Sequence, residues 1–319
     1  MEVQAKTLPV KPKVLLVDDE ERILRSLGLL LRMQYQVFAT SDGHEALAIL
    51  KREKIHVLIS DQRMPVMTGS ELLGRAREIS PDTVRILLTG YADADAALEA
   101  VNEGEIFRYI NKPWGPKELR DTIAQAAEIA LQVEGAPPVA LEAAAPVPDG
   151  RLVCLVLDRD ESTYQAVQEI LGAQHEVMWR QSVQGALQVL ASKPVAILVT
   201  ELSLGDEDLS AMIKTLKQEH PEMLTIILTC FKDTSRLVDL INQAQVFRYL
   251  PKPVRRGMLT KSIESTLLRY RAITQKPVLL RTQAVEKPQN ASEQQAGDKV
   301  AEYLAKLRGK TGFGRPQPA

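Results

Sequence analysis

The stretch "IFRYINKPW" (106–114) returns almost unchanged as "VFRYLPKPV" (246–254), 140 positions later. Phe107, Arg108, Tyr109, Lys112 and Pro113 recur as Phe247, Arg248, Tyr249, Lys252 and Pro253. The same shift places Asp158 under Asp18, Pro221 under Pro81, Thr229 under Thr89 and Asn242 under Asn102, with no gap between about residues 14 and 113. A register held that long marks two copies of one domain, and a repeat of this length settles the architecture before any single element is read.

Each copy alternates short apolar runs with helical patterns. In the first, "VLLV" (14–17), "VLIS" (57–60), "VRILLT" (84–89) and "IFRYI" (106–110) have the length of buried strands. The more polar "YQVFAT" (35–40) suits a sheet edge. Helical patterns separate them, from "EERILRSLGLLLRM" to "PKELRDTIAQAAEIALQV". The second copy repeats the plan, with strands expected near 152–157, 175–179, 195–199, 223–229 and 246–250. Alternation of this kind predicts the α/β class, a parallel sheet with helices on both faces, and right-handed crossovers make it doubly wound.

Composition excludes several functions. The 319 residues are 45% hydrophobic and 25% charged, as in a soluble globular protein. A formal net charge of −1 gives no global attraction for nucleic acid or an anionic membrane. No apolar run reaches ~18 residues, and "MEVQAKTLPVKPK" has no secretory apolar core, so a cytoplasmic chain is expected. Cys154 and Cys230 lie in or beside apolar runs and read as buried thiols. The four histidines are scattered without metal-ligand spacing. The domains are expected at 12–131 and 151–272, joined by a Pro/Ala-rich linker at 132–150. The remainder, 273–319, is expected to be a mobile tail. A short amphipathic helix near 298–309 would carry Val300, Tyr303, Leu304 and Leu307 on one face.

In open α/β sheets, ligands bind at the carboxyl ends of the strands. The polar residues of the first copy fall there: Asp18 and Asp19 after the first strand, Asp61 after the third, Thr89 on the fourth and Lys112 after the fifth. Three carboxylates at one edge repel one another unless a cation lies among them. Oxygen ligands without His or Cys point to a hard ion such as Mg²⁺. A lysine and a hydroxyl beside them suit phosphoryl transfer, with a carboxylate as the acceptor. The plainer alternative is that each Asp caps the helix after it. A dinucleotide site is excluded, because neither first strand leads into a Gly-rich turn.

Together "LLVDDE", "VLISDQRMPVMTG", "ILLTGYAD" and "FRYINKPW" resemble the receiver (CheY-like) domain of two-component response regulators, in wording similar to the hydrogenase-type and HD-GYP-type branch. The resemblance implies two tandem flavodoxin-like (βα)5 domains with strand order 2-1-3-4-5. It implies that Asp61 is the phosphoacceptor, fed by a sensor histidine kinase or phosphotransfer protein. Asp18, Asp19, Asp61 and the Arg63 backbone carbonyl would hold Mg²⁺. Lys112 would contact the phosphoryl group, Thr89 and Tyr109 would form the switch pair, and Pro113 would follow a cis bond.

The second copy departs from that pattern. Asp158, Thr229, Tyr249 and Lys252 persist, but Asp19 becomes Arg159, Asp61 becomes Glu201, and "DQRMPVMTG" becomes "ELSLGDEDL". An arginine offers no acceptor to a metal, although Asp160 could supply a substitute carboxylate. This copy therefore reads as a degenerate receiver, with Glu201 either mimicking a phosphorylated site or reflecting drift. The expected function is a response regulator, not an enzyme beyond its own phosphorylation and dephosphorylation. It would signal to a downstream protein through the face of helix four, strand five and helix five. Homodimerisation is left open, and no DNA-binding or membrane segment is evident. The competing readings are a phosphorylation-independent adaptor or scaffold built from receiver folds, and a phosphatase with an Asp nucleophile. The phosphatase lacks the expected second Asp, because Arg63 stands at that position.

Overall fold

A computed structural model describes residues 11–90, 94–135, 150–229, 240–242, 244–283 and 291–311. Cys230, most of the expected linker and most of the fourth helical stretch of the second copy lie outside the described residues. The chain divides into two compact units, Met1–Gly135 and Ala136–Ala319.

In the first unit the strands are β1 (Lys13–Val17), β2 (Gln36–Thr40), β3 (Val57–Asp61), β4 (Val84–Gly90) and β5 (Arg108–Lys112). They form one parallel sheet in the order β2-β1-β3-β4-β5. The helices are α1 (Glu21–Leu31), α2 (Gly43–Arg52), α3 (Gly69–Ile79), α4 (Ala94–Gly104) and α5 (Pro116–Gly135). Strands β1, β3 and β4 are continuous apolar runs because both faces of the sheet are covered, and their residues are almost wholly buried. The more polar β2 lies at an edge, as its composition predicts. Helix α2 starts where the Asp42 carboxylate accepts the N–H groups of His44 and Glu45, and α3 where Thr68 accepts that of Glu71.

The second unit repeats the sheet with β6 (Val153–Leu157), β7 (Glu176–Arg180), β8 (Val195–Glu201), β11 (Leu224–Thr229) and β12 (Arg248–Pro251), in the order β12-β11-β8-β6-β7. Its helices include α6 (Glu161–Leu171), α7 (Val183–Leu190), α8 (Ser210–Glu219) and α9 (Arg256–Gln275). One difference between the copies follows β8. A two-residue turn joins β9 (Ser203–Leu204) to β10 (Glu207–Asp208), and the antiparallel pair replaces the irregular loop of the first copy. Gly205 leads that turn at φ +69°, a conformation that glycine adopts without strain.

The repeated phrase has a packing reason in both units. The Arg108 guanidinium lies 4.2 Å from the centre of the Phe107 ring and donates from Nη1 to the Phe107 carbonyl at 2.9 Å. Arg248 does the same over Phe247, at 3.9 Å and 2.8 Å. Both arginines are buried, so each needs these partners to offset its desolvation. Cis peptide bonds occur at Lys112-Pro113 and Lys252-Pro253.

The C-terminal segment differs from the expected tail. Helix α9 continues to Gln275, and a 3₁₀ segment (Pro277–Gln283) lays Leu279 and Leu280 against Leu224, Phe247 and Ile273. Helix α10 spans Ala291–Thr311, longer than the expected 298–309, and packs along α8 and against α7. Leu304 is fully buried, and Gln184 donates to the Tyr303 hydroxyl at 3.2 Å. Buried Arg308 donates to Glu219 Oε2 at 2.9 Å and, from Nη2, lies 2.7 Å from His220 Nε2. Arginine is always a donor, so Nε2 must accept and His220 is neutral. Partners 88 or more positions away are what sequence periodicity omits, and they hold the helix down.

Burial, and next the Arg308 charge, push the His220 pKa down from 6.5 to about 4. Between those values the unfolded chain binds the proton more readily than the folded one, so stability falls as pH drops from 6.5 towards 4. The loss is expected to be on the order of 3 kcal/mol. Urea unfolding followed by Trp179 in a Trp114→Phe chain should show it at pH 7, 5 and 4, and His220→Gln should flatten the trend.

Candidate functional site

The strand registers bring the sheet's carboxyl edge level. Val17 pairs with Ser60, Asp61 with Leu88, Thr89 with Asn111 and Gly90 with Lys112. Asp18, one residue past β1, therefore lies beside Asp61 at the end of β3, where the winding of the sheet reverses. Lys112 arrives from the end of β5.

Three of the expected residues converge. Lys112 Nζ lies 2.8 Å from Asp18 Oδ2 and 2.5 Å from Asp61 Oδ1. Asp18 is 1% exposed and Asp61 5%. The second oxygens are also engaged: Glu20 N–H donates to Asp18 Oδ1 at 2.9 Å, and Arg63 N–H to Asp61 Oδ2 at 2.6 Å. Burial pushes the Asp18 carboxyl above its ordinary value, against the opposing hydrogen bonds from Lys112 and Glu20. For Lys112, burial works against the ammonium, but the hydrogen bonds to Asp18 and Asp61 outweigh it and its pKa ends above the usual lysine value. The pocket is thus a buried anionic pair that holds a cation.

The other expected residues stand apart from this contact. Asp19 is exposed, and among the described residues no three His, Cys, Asp or Glu side chains gather around one point. With the ammonium already between the two carboxylates, nothing draws a third inward. The buried Thr89 donates its hydroxyl to the Gly90 carbonyl at 3.2 Å, and Tyr109 is buried on β5. Arg63 meets the acceptor through its N–H, whereas the family resemblance assigns a part to its carbonyl.

The loop between β3 and α3 contains residues that sequence reasoning missed. The buried Gln62 amide accepts from Ser70 N–H at 3.0 Å and donates to Ser70 Oγ at 3.2 Å, and Ser70 Oγ donates to Glu99 at 3.0 Å. Met67 N–H donates to the Pro65 carbonyl at 2.8 Å around Val66, which has φ +71° and is 91% exposed. A γ-turn centred on a β-branched residue is strained, and such strain collects at functional sites. Gly69 is obligatory, because a Cβ there would lie 2.2 Å from the Asp61 carbonyl oxygen. The sequence signal for Gly69 was its place just after Thr68, at the start of α3.

In the second unit Lys252 Nζ bridges Asp158 Oδ2, at 2.8 Å, and Glu201 Oε1. Burial again opposes the ammonium, and the hydrogen bonds to Asp158 and Glu201 again raise its pKa. Asp160 N–H donates to Asp158 Oδ1 at 2.8 Å, but the Asp160 carboxylate caps α6 through Ser162 N–H at 2.9 Å. Thr229 ends β11, and burial pushes the Tyr249 phenol well above its usual 10. Trp179 donates from Nε1 to the Asp158 carbonyl at 2.8 Å.

A doubly wound parallel sheet with a lysine-bridged aspartate pair at its switch point defines a receiver-type domain. The response regulator receiver domain model matches residues 14–124 and 154–264, and the chain belongs to that family. The hydrogenase transcriptional regulatory protein HoxA of Cupriavidus necator is 44% identical over 115 residues, 36% of this chain and 24% of that protein. The response regulator FleR of Pseudomonas aeruginosa is 38% identical over 134 residues, 41% of this chain and 28% of that protein. These matches therefore span about a quarter of each relative's length. Among solved structures, the receiver domain of an HD domain-containing protein from Pseudomonas fluorescens is 37% identical. That match covers 42% of this chain and all of that one, with a TM-score of 0.40. No helix among the described residues is long and apolar enough to cross a membrane.

The close approach at Gly69 gives a direct check. Gly69→Ala forces α3 away from the Asp61 backbone and is expected to cost about 1–3 kcal/mol. Urea unfolding of the first unit should show it, and Gly74→Ala, whose nearest contact would be 3.4 Å from a side chain, should cost less.

Proposed function

We propose that the chain is a two-component response regulator whose first receiver accepts a phosphoryl group on Asp61 from a histidine kinase or phosphotransfer protein. The observation that carries this reading is the buried Asp18–Lys112–Asp61 contact at the switch point. Two buried carboxylates already facing one cation form an oxygen donor set that fits a hard ion. Asp18 and Asp61 would hold Mg²⁺, with Asp19 and the Arg63 carbonyl completing the set. The ion would neutralise charge on the phosphoryl oxygens.

The chain's own residues perform the transfer. An Asp61 carboxylate oxygen attacks phosphorus, the O–P bond forms, and the donor's P–N bond breaks with its electron pair leaving on the imidazole nitrogen. Lys112 lies within reach of Asp61 and supplies positive charge to the incoming phosphoryl group. Arg63 N–H fixes the carboxylate plane. The new charge, roughly −1.5 to −2, would be sensed by Thr89 and Tyr109. The signal would then pass to a protein partner through α4, β5 and α5. The second receiver, with Arg159 and Glu201 at its site, would contribute contacts and no phosphorylation.

Acetyl phosphate with Mg²⁺ should add one phosphoryl group to the intact chain by mass spectrometry. The addition should vanish in Asp61→Asn and on chelation of the metal. An unmodified wild-type chain would favour the phosphorylation-independent adaptor instead.

A further inference from the structure

The two sites differ in the charge of one exposed residue beside the first acid, Asp19 against Arg159. At the first, Asp18 and Asp61 face Lys112, and the exposed Asp19 beside them adds a third carboxylate. At the second, Asp158 and Glu201 face Lys252 with Arg159 at the remaining position, two of each sign. The residue after that position is acidic in both copies, Glu20 and Asp160, while in the following loop Arg63 gives way to Ser203 and Asp206, Glu207 and Asp208 are added. Replacing Asp19 by Arg159 adds two positive charges, the charge of Mg²⁺.

The Arg159 guanidinium also has a defined seat. A Cβ on Gly205 would lie 2.4 Å from its Nη1, 2.9 Å from Cζ and 3.0 Å from Nη2, so the guanidinium rests directly on the β9–β10 turn. Gly205 takes φ +69°, which favours glycine, and a side chain there would have to displace the guanidinium from this seat. In the first unit the corresponding segment is the strained loop around Val66. The second unit pairs a regular hairpin, anchored by the buried Leu204, with a cation lying over it.

We propose that Arg159 is a built-in counter-cation that closes the second site. It supplies the charge that magnesium would bring and pins the β9–β10 turn through Gly205, so this receiver stays in one state whatever the metal or phosphodonor. Three substitutions then act together: the arginine, the glycine that seats it, and the longer Glu201 carboxylate that reaches Lys252. The second unit becomes a fixed platform, while the first remains the responsive one. The comparison with a divalent ion rests on the magnesium reading of the first site.

Two tryptophans, Trp114 and Trp179, make the test specific, because Trp179 bonds the Asp158 backbone. In the full chain carrying Asp61→Asn and Trp114→Phe, Mg²⁺ titration should leave Trp179 fluorescence unchanged. Adding Arg159→Asp should produce a saturable response. In the same Asp61→Asn background under acetyl phosphate and Mg²⁺, Glu201→Asp should stay unmodified, and Arg159→Asp with Glu201→Asp should gain one phosphoryl group. A Mg²⁺ response with Arg159 present would overturn the proposal. So would modification of the Glu201→Asp chain equal to that of the double variant, or no response after Arg159→Asp. The first titration changes nothing at the second site, so it tests the proposal whatever the variants do to folding. Failure of the first-site reading would show separately, as a Trp114 signal indifferent to magnesium in a Trp179→Phe chain with Asp61 intact.

Discussion

Two carboxylates that are almost wholly buried side by side call for a cation between them, and in the first unit Lys112 is that cation. Much of the local architecture follows from placing it. β1 and β3 must end level, so that Asp18 and Asp61 are side by side, and β5 must finish one strand beyond β4 with its lysine turned back. Helix α3 must start close under Asp61, which Gly69 allows and a methyl group would prevent. Gln62 and Ser70 then tie the intervening loop to the start of the helix. The fold and the pocket are one constraint seen from two sides.

The sheet was legible in the sequence because buried parallel strands are short, continuous apolar runs, and because the repeat supplied a second reading of each one. The converging trio was legible for a related reason. In a doubly wound sheet, topology alone carries strand ends to one edge, so Asp18, Asp61 and Lys112 could be placed together without any knowledge of side chains. Asp19 was harder, since the direction of an exposed side chain depends on which cation occupies the pocket and no periodicity records that. The Gln62–Ser70 network was also hidden, because nothing in the sequence shows that the amide after Asp61 turns inward to a partner eight residues on.

Of two larger features, one was hidden and the other legible only in part. The β9–β10 hairpin has strands of two residues, too short to show alternation. Helix α10 did show an apolar face, and Leu304 on that face is fully buried. What the face could not reveal is its docking site, since the decisive partners, Glu219 and His220, lie far back in the chain. Amphipathic spacing says which residues want cover, and long-range contacts decide what covers them.

The two units, set beside each other, separate what the lysine does for the fold from what it does for chemistry. Both keep the lysine between two acids, and both keep the arginine folded over its phenylalanine. Those are solutions to burial, and a receiver that never sees phosphate still needs them. Among the positions that differ are two at the pocket, Asp19 against Arg159 and Asp61 against Glu201, and two that shape the loop beside it, Gln62 against Leu202 and Gly69 against Leu209. A retained Lys252 is therefore weak evidence for activity in the second unit, because the glutamate, longer by one methylene, satisfies it equally well. The informative position is the exposed neighbour of the first acid, Asp19 in one unit and Arg159 in the other. There the fold tolerates either side chain, so the chemistry is free to decide.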